Sequence, residues 1–314
     1  MFARSVSALA LAISASAFAA ASRSPNTIKA YQFAFDGYAK WCDENGVQKI
    51  PADPPLLSVY LADMAKRGMK VSTIRLALTA IAEAHRAAGL PLDCRDRVLQ
   101  AVWKGIRRQV GIRPERKAAL LGSDLRKILE GLDRNSVSGC RNAALLLMGF
   151  GGALRRSEVV GLNVEDITIS GRGMKILIRK SKTDSESAGQ EIGIHFGTRD
   201  ETCVVSAYQA WLQKSGITSG AVFRRVFPDN RIGKDRLSLR AIGDILKGCV
   251  EKVGLNPDEF GSHSLRAGFA TSAALAGCNL TTIMKQTRHK SVNEVKNYVR
   301  DAEMWEDNAT RLLL

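Results

Sequence analysis

The sequence predicts a mainly α-helical protein in two parts, an all-helical N-terminal domain followed by a mixed α+β domain with a small antiparallel sheet. Three observations carry this. Between Asn26 and Ile106, apolar residues recur at three- and four-residue spacing in short stretches separated by proline and glycine. From Ser123 the pattern changes, and between Val164 and Phe196 it becomes strand-like alternation broken by turn residues. The 314 residues suffice for two cores, and a 45% hydrophobic content is ordinary for a folded chain.

In the first part, Asn26 is expected to cap a helix whose apolar face is Tyr31, Phe35, Tyr38, Trp41 and Cys42. Pro51, Pro54 and Pro55 break the chain before a second helix with Leu57, Tyr60, Leu61 and Met64, ending at Gly68. Ser72 is expected to cap a third, through Ile74, Leu78 and Ile81, and a fourth carries Val98, Val102 and Ile106. The fourth runs into Lys104, Arg107, Arg108, Arg113, Arg116 and Lys117, with Pro114 interrupting. A solvated helix face and a linker lying along phosphates both fit this charge run.

In the second part, helices are expected over Leu125 to Leu132 and Cys140 to Phe150. About three strands follow around Ile167, Ile176 and Ile192, with turns at Ser170-Gly171 and Asp184-Ser-Glu-Ser187. The remainder reads as helix, over Val204 to Lys214, Ser238 to Val253 and Ser262 to Gly277, with shorter pieces to the end. No internal repeat is visible.

A net charge of +15 points to a polyanion, nucleic acid or an anionic membrane surface, against the simpler reading of a basic but inert surface. The six cysteines, at 42, 94, 140, 203, 249 and 278, form no C-x-x-C pair. That argues against a zinc site or a disulfide framework and suits a reducing compartment.

Chemistry concentrates in Arg155-Arg-Ser-Glu158, His263-Ser-Leu-Arg266, Arg288-His289-Lys290 and Asn297-Tyr298. A phosphoryl group in transition spreads negative charge over its non-bridging oxygens, and guanidinium, planar and permanently charged, answers that best. A phenol can act as nucleophile and form a phosphotyrosine. Each piece alone is weak. Arg155 and Glu158, three apart on an expected helix, can be a mere surface ion pair, and an H-x-x-R, even behind Ser262 as the expected N-cap, occurs often by chance. Ser291-Val-Asn-Glu294 has the form of a capping box, so a new helix should start there and carry Tyr298 on its second turn. Taken alone, a tyrosine on an apolar helical face is more often core than catalytic. Lys182, at an expected hairpin tip, is either solvated or able to protonate a leaving oxygen.

As an ordered set, Arg155, Lys182, His263-x-x-Arg266, His289 and Tyr298 resemble the tyrosine recombinase (phage integrase) family. The similarity covers roughly residues 24 to 314 and runs through both domains, including Trp41-Cys42, Pro51-Ala-Asp-Pro54 and Gly89-Leu-Pro91. After an apolar leader (1–23) outside the resemblance, it implies a tyrosine recombinase fold with a helical core-type DNA-binding domain (24–112), a basic linker (113–122) and a catalytic domain with a C-terminal helix (123–314). It implies a site-specific DNA recombinase or integrase with Tyr298 as nucleophile, leaving a 3′-phosphotyrosyl enzyme and a free 5′-hydroxyl. Arg155, Arg266 and His289 would hold the phosphate, Lys182 would be the general acid, His263 would assist proton transfer and Glu158 would orient its neighbours. No cofactor, metal or ATP is implied. The partners implied are double-stranded DNA and further copies of the chain, a tetramer on paired sites, with the apolar tail from Trp305 to Leu314 either docking into a neighbouring subunit or packing within its own domain. Thr73 and Arg75 join the basic linker as implied DNA contacts, with the two domains as a clamp around the duplex. The alternatives are a type IB-like topoisomerase and a DNA-binding relative without catalysis.

Two features depart from the family. Arg288 stands where most members carry glycine before the histidine. The run from Val6 to Ala21, after Arg4, has the form of a secretory signal and no counterpart in the family. Export would separate the enzyme from DNA, so the expectation is an over-extended start or an Ala-rich helix without targeting role, in a cytoplasmic, nucleoid-associated protein. The run is too short and too interrupted by serine to span a membrane.

Overall fold

The computed structural model describes residues 23–112, 117–181, 189–293, 295, 296, 298 and 310–313. The expectations for residues 1–22, Arg113, Arg116, Lys182, Glu294 and Trp305 lie outside them. The chain divides into two compact units, Met1–Glu115 and Arg116–Leu314.

The first unit contains helices α1 (Pro25–Asn45), α2 (Pro54–Lys66), α3 (Val71–Ala87) and α4 (Arg97–Val110). Ser24, not Asn26, caps α1, because Pro25 takes the first helical position, where its missing N–H costs nothing. Asp53 caps α2 by accepting from the Leu56 N–H, and Asp96 caps α4. At α3 the cap position is Lys70, whose side chain makes no capping hydrogen bond, rather than Ser72. The expected apolar faces close on one another as a core of Tyr38, Cys42, Leu57, Leu61, Ile74, Ile81, Leu99 and Ile106. His85 lies within this packing, its Nε2 accepting from the Ala52 N–H at 2.8 Å and its Nδ1–H donating to Ile81 O at 2.7 Å. Both ring nitrogens are thus committed, in the neutral tautomer.

The second unit begins with residues 117–121, part of the expected linker, which hydrogen-bond into it. Ala118 N donates to Glu259 O, Leu120 N to Ser264 O, and Lys117 Nζ to Asp258 O. Then come α5 (Gly122–Glu130), α6 (Val137–Gly151) and α7 (Arg156–Gly161). Buried nearly all round, α6 is the axis of this core. The strands β1 (Ile167–Ser170), β2 (Gly173–Ile178) and β3 (Gln190–His195) form an antiparallel sheet in the order β1-β2-β3, with Ile167 opposite Ile176 and Ile176 opposite Ile192. Met174, Ile176, Ile178, Ile192 and Ile194 turn inward, giving the period-two burial the alternation predicts.

Next are α8 (Val204–Ser215), a hairpin of β4 (Arg224–Val226) and β5 (Ile232–Arg236), and the helices α9 (Leu239–Lys252), α10 (Ser264–Leu275) and α11 (Leu280–Thr287). The hairpin corrects the expectation that everything after Val204 is helical. It is held by few apolar residues, while Arg236 donates to the carbonyls of Val160 and Leu162. The described residues between Val292 and Tyr298 are helical, and Thr310–Leu313 forms α12. Among the described residues no helix is long and apolar enough to cross a membrane.

Candidate functional site

Arg155, His263 and Arg266 lie where helices begin, and His289 follows directly on the end of one. After α6 the chain makes a tight turn in which Ala153 takes a left-handed φ of 45°. The turn puts Arg155 at the cap of α7 rather than inside it, correcting the expected placement on a helix face. Glu158, at the third helical position, accepts from the Arg155 N–H at 2.8 Å through Oε2. Its Oε1 accepts from Arg155 Nη1 at 2.8 Å and from the Ser181 hydroxyl at 2.9 Å. Arg155 Nη1 also donates to Ser181 Oγ at 2.9 Å. Arg155 and Glu158 are therefore not a surface pair, since the Glu158 carboxylate is fully buried.

His263, not Ser262, takes the cap position of α10, which leaves its ring exposed at the site and turns Arg266 inward. Gly268 sets how deep this helix sits. A Cβ there would come within 1.7 Å of Leu120 O, so only glycine permits the approach. Arg266 has no exposed surface. Its Nη1 donates to Ala153 O at 2.6 Å, while Nε and Nη2 are buried without a hydrogen-bond partner among the described residues. Burial and the charges of Arg155 and Arg288 push its guanidinium down to about 9, against a smaller opposing effect of Glu158 and Tyr298. Buried donors are rarely left unmade, and here they belong to a cation beside two further cations. Such a place is built for an anion.

At the end of α11, Arg288 adopts a left-handed φ of 58° and reverses the chain into His289. His289 Nδ1–H donates to Thr287 Oγ1 at 2.8 Å, and the Thr287 hydroxyl donates onward to Ile283 O at 2.8 Å. Burial, then Arg266, Arg155, His263 and Arg288, pushes the imidazole down to about 3, so it is neutral near pH 7. The Tyr298 hydroxyl lies 3.4 Å from His263 Nε2, and its ring centre 5.9 Å from that of His289. Five sequence-predicted residues, Arg155, His263, Arg266, His289 and Tyr298, thus share one neighbourhood with Glu158. Lys182 follows directly on Ser181 but lies outside the described residues.

Sequence reasoning missed Ser181, Thr287 and the part played by Arg288. Ser181 sits beside Lys182, already singled out, and Arg288 was marked as a departure, so each left a trace. Thr287 left none. Among the described residues no three His, Cys, Asp or Glu side chains are grouped as metal ligands. In the first unit, Thr73, Arg75, Lys104, Arg107 and Arg108 are all exposed. Arg75 and Arg107 line one groove between α3 and α4, with Lys70, Thr79 and Trp103.

The phage integrase family model matches residues 119–304. The chain is 36% identical over 291 residues to an integrase/recombinase xerD homolog of Selenomonas ruminantium, across 92% of this chain and 85% of that relative. It is 28% identical to the recombinase cre of Escherichia phage P1, across 88% of this chain and 84% of that one. Among solved structures it resembles the XerH site-specific recombinase bound to a palindromic difH substrate, with a TM-score of 0.61 at 17% identity, covering 83% of this chain and 72% of the other. At that identity the likeness concerns the fold.

Proposed function

The chain belongs to the phage integrase family and is a tyrosine-type site-specific recombinase, and from that premise we propose that Tyr298 is its nucleophile and that Arg155, Arg266 and His289 grip the scissile phosphate of double-stranded DNA. The observation that carries this is the pair of orphaned donors on buried Arg266, in a cluster of cations whose one anion among the described residues is the Glu158 carboxylate. A phosphodiester oxygen supplies the missing acceptor, and a fork of two N–H groups matches it.

In this reading the Tyr298 oxygen attacks phosphorus while its proton passes to His263 Nε2, 3.4 Å away in the DNA-free enzyme. The bond from phosphorus to the 5′-oxygen breaks, and Lys182 donates the proton the departing oxygen takes up. The 3′-phosphotyrosine keeps the free energy of the broken linkage, so a second 5′-hydroxyl can displace Tyr298 without ATP. Charge stabilisation by guanidinium rests on the same physics that divalent ions exploit elsewhere. The basic residues Arg75, Lys104, Arg107, Arg108, Arg113, Arg116 and Lys117 would meet DNA mainly through phosphates, and Thr73 would join them by its hydroxyl. We extend the reading to a tetramer on two paired sites, acting in the cytoplasm beside the nucleoid.

The test is a nicked suicide duplex drawn from DNA that the wild-type chain captures. Wild type is expected to form a covalent adduct and Tyr298→Phe none. An adduct with the phenylalanine variant would remove Tyr298 from its role, and rapid supercoil relaxation at arbitrary sequences would favour a topoisomerase.

A further inference from the structure

Arg288 is a third guanidinium in the site, at a residue whose backbone conformation ordinarily selects glycine. A left-handed φ of 58° is strained for a side chain with a Cβ, so arginine here asks for a compensating role. Its hydrogen bonds describe one. Nη2 donates to Glu158 Oε2 at 2.7 Å and to Ala153 O at 3.4 Å, and Nη1 donates to Gly152 O at 3.2 Å and Gln286 O at 3.3 Å. Every one of these acceptors belongs to the turn that aims Arg155, to the first turn of α7 that follows it, or to the end of α11. Both partners of the ion pair are buried. Both Nη groups are spent on protein acceptors, and only Nε, which is buried, has no partner among the described residues, so the fork of Arg288 is turned to the protein.

We propose that Arg288 is a positioning residue for the phosphate clamp, acting on Arg155 through Glu158 and on His289 through the turn it closes. The proposal deepens the recombinase reading and rests on it. Glu158 is a carboxylate divided between cations. Its Oε1 faces Arg155 and Ser181, while Oε2 faces Arg288 and the Arg155 N–H. Burial pushes its acidity toward the neutral form, but Arg288 and then the Arg155 contacts outweigh that and hold it below the usual carboxylate range. Without Arg288 the whole negative charge would bear on Arg155 and compete there with the scissile phosphate. The same pair ties the segment carrying His289 to the one carrying Arg155, so two phosphate ligands contributed 134 residues apart keep one spacing.

The test measures the rate of covalent trapping on the nicked duplex separately from DNA affinity. Arg288→Gly suits the backbone, and it is expected to slow trapping about tenfold or more while affinity stays within about threefold. Arg288→Lys keeps one charge and should fall between. The decisive variant is Glu158→Gln combined with Arg288→Gly. Removing the unbalanced carboxylate should make the double variant trap faster than Arg288→Gly alone, although Glu158→Gln by itself is slower than wild type. Trapping at the wild-type rate in Arg288→Gly overturns the proposal, as does a double variant no faster than Arg288→Gly. Absence of any adduct with wild type would overturn the recombinase reading instead, so the two failures are distinct.

Discussion

Arg266 is held in an unfavourable state until a ligand arrives. Its side chain is wholly buried, two of its donors are unmade, and its neighbours repel it. Breaking no ion pair among the described residues, Arg266→Met should leave the DNA-free protein at least as resistant to thermal unfolding as wild type, while adduct formation falls by about 100-fold or more. A large drop in melting temperature would show that the guanidinium holds the fold together rather than awaiting an anion. His289 has a related signature. Its ordinary value is 6.5 and the folded value is pushed down to about 3, so between those limits the unfolded chain binds the extra proton. The sign follows, and stability of the DNA-free protein should fall as pH drops from 6.5 toward 3. A bound phosphate reverses the electrostatics at the ring, so DNA binding near pH 6 is expected to take up a proton. Calorimetry in buffers of different ionisation enthalpy reads this directly, and a buffer-independent heat would contradict it.

At the scale of elements, the site depends on a helix and an irregular segment brought unusually close. Gly268 lets α10 lie against Leu120, and the Leu120 N–H donates to Ser264 O at the start of that helix. Gly268→Ala is expected to cost about 1–3 kcal/mol in urea unfolding, because the clash is with backbone that cannot rotate away. It should also slow adduct formation by shifting His263 and Arg266 together. An unchanged unfolding midpoint would mean that the approach is looser than the geometry says. Helix and strand identities were legible where a face is apolar, as in α2, β2 and β3. Caps were less so. Ser24, Lys70 and His263 hold positions that a reading by residue type gave to Asn26, Ser72 and Ser262, because neighbouring polar residues compete and tertiary packing chooses among them. The hairpin β4–β5 escaped for another reason. Its strands read Arg-Arg-Val and Ile-Gly-Lys-Asp-Arg, so charged side chains hide the alternation, and Arg236 anchors it through carbonyls.

At the scale of the whole molecule, the excess of 46 lysines and arginines over 31 acids is what a polyanion would feel first. On DNA recovered by covalent trapping, the association constant should fall with salt at a slope of about −0.9 per neutralised phosphate, and Arg75→Ala or Arg107→Ala should each reduce the slope by about one. Sedimentation of the same complexes on paired sites is expected to give four chains. A slope untouched by both substitutions would remove the α3–α4 groove from the DNA contacts, and a stoichiometry of one would remove the tetramer.

The sequence by itself determined the helical and sheet segments with strong apolar periodicity, the basic character, and the order Arg155, His263-x-x-Arg266, His289 and Tyr298. Those are properties of local pattern, or of residue type at fixed spacing. Only the tertiary structure decided that Glu158 is shared by Arg155 and Arg288, that Ser181 bridges the Arg155–Glu158 pair, and that Arg266 ends with donors unmade. Each of these turns on burial and on contact between segments far apart in the chain. There, desolvation and neighbouring charge, which no single residue carries, fix what a side chain can do.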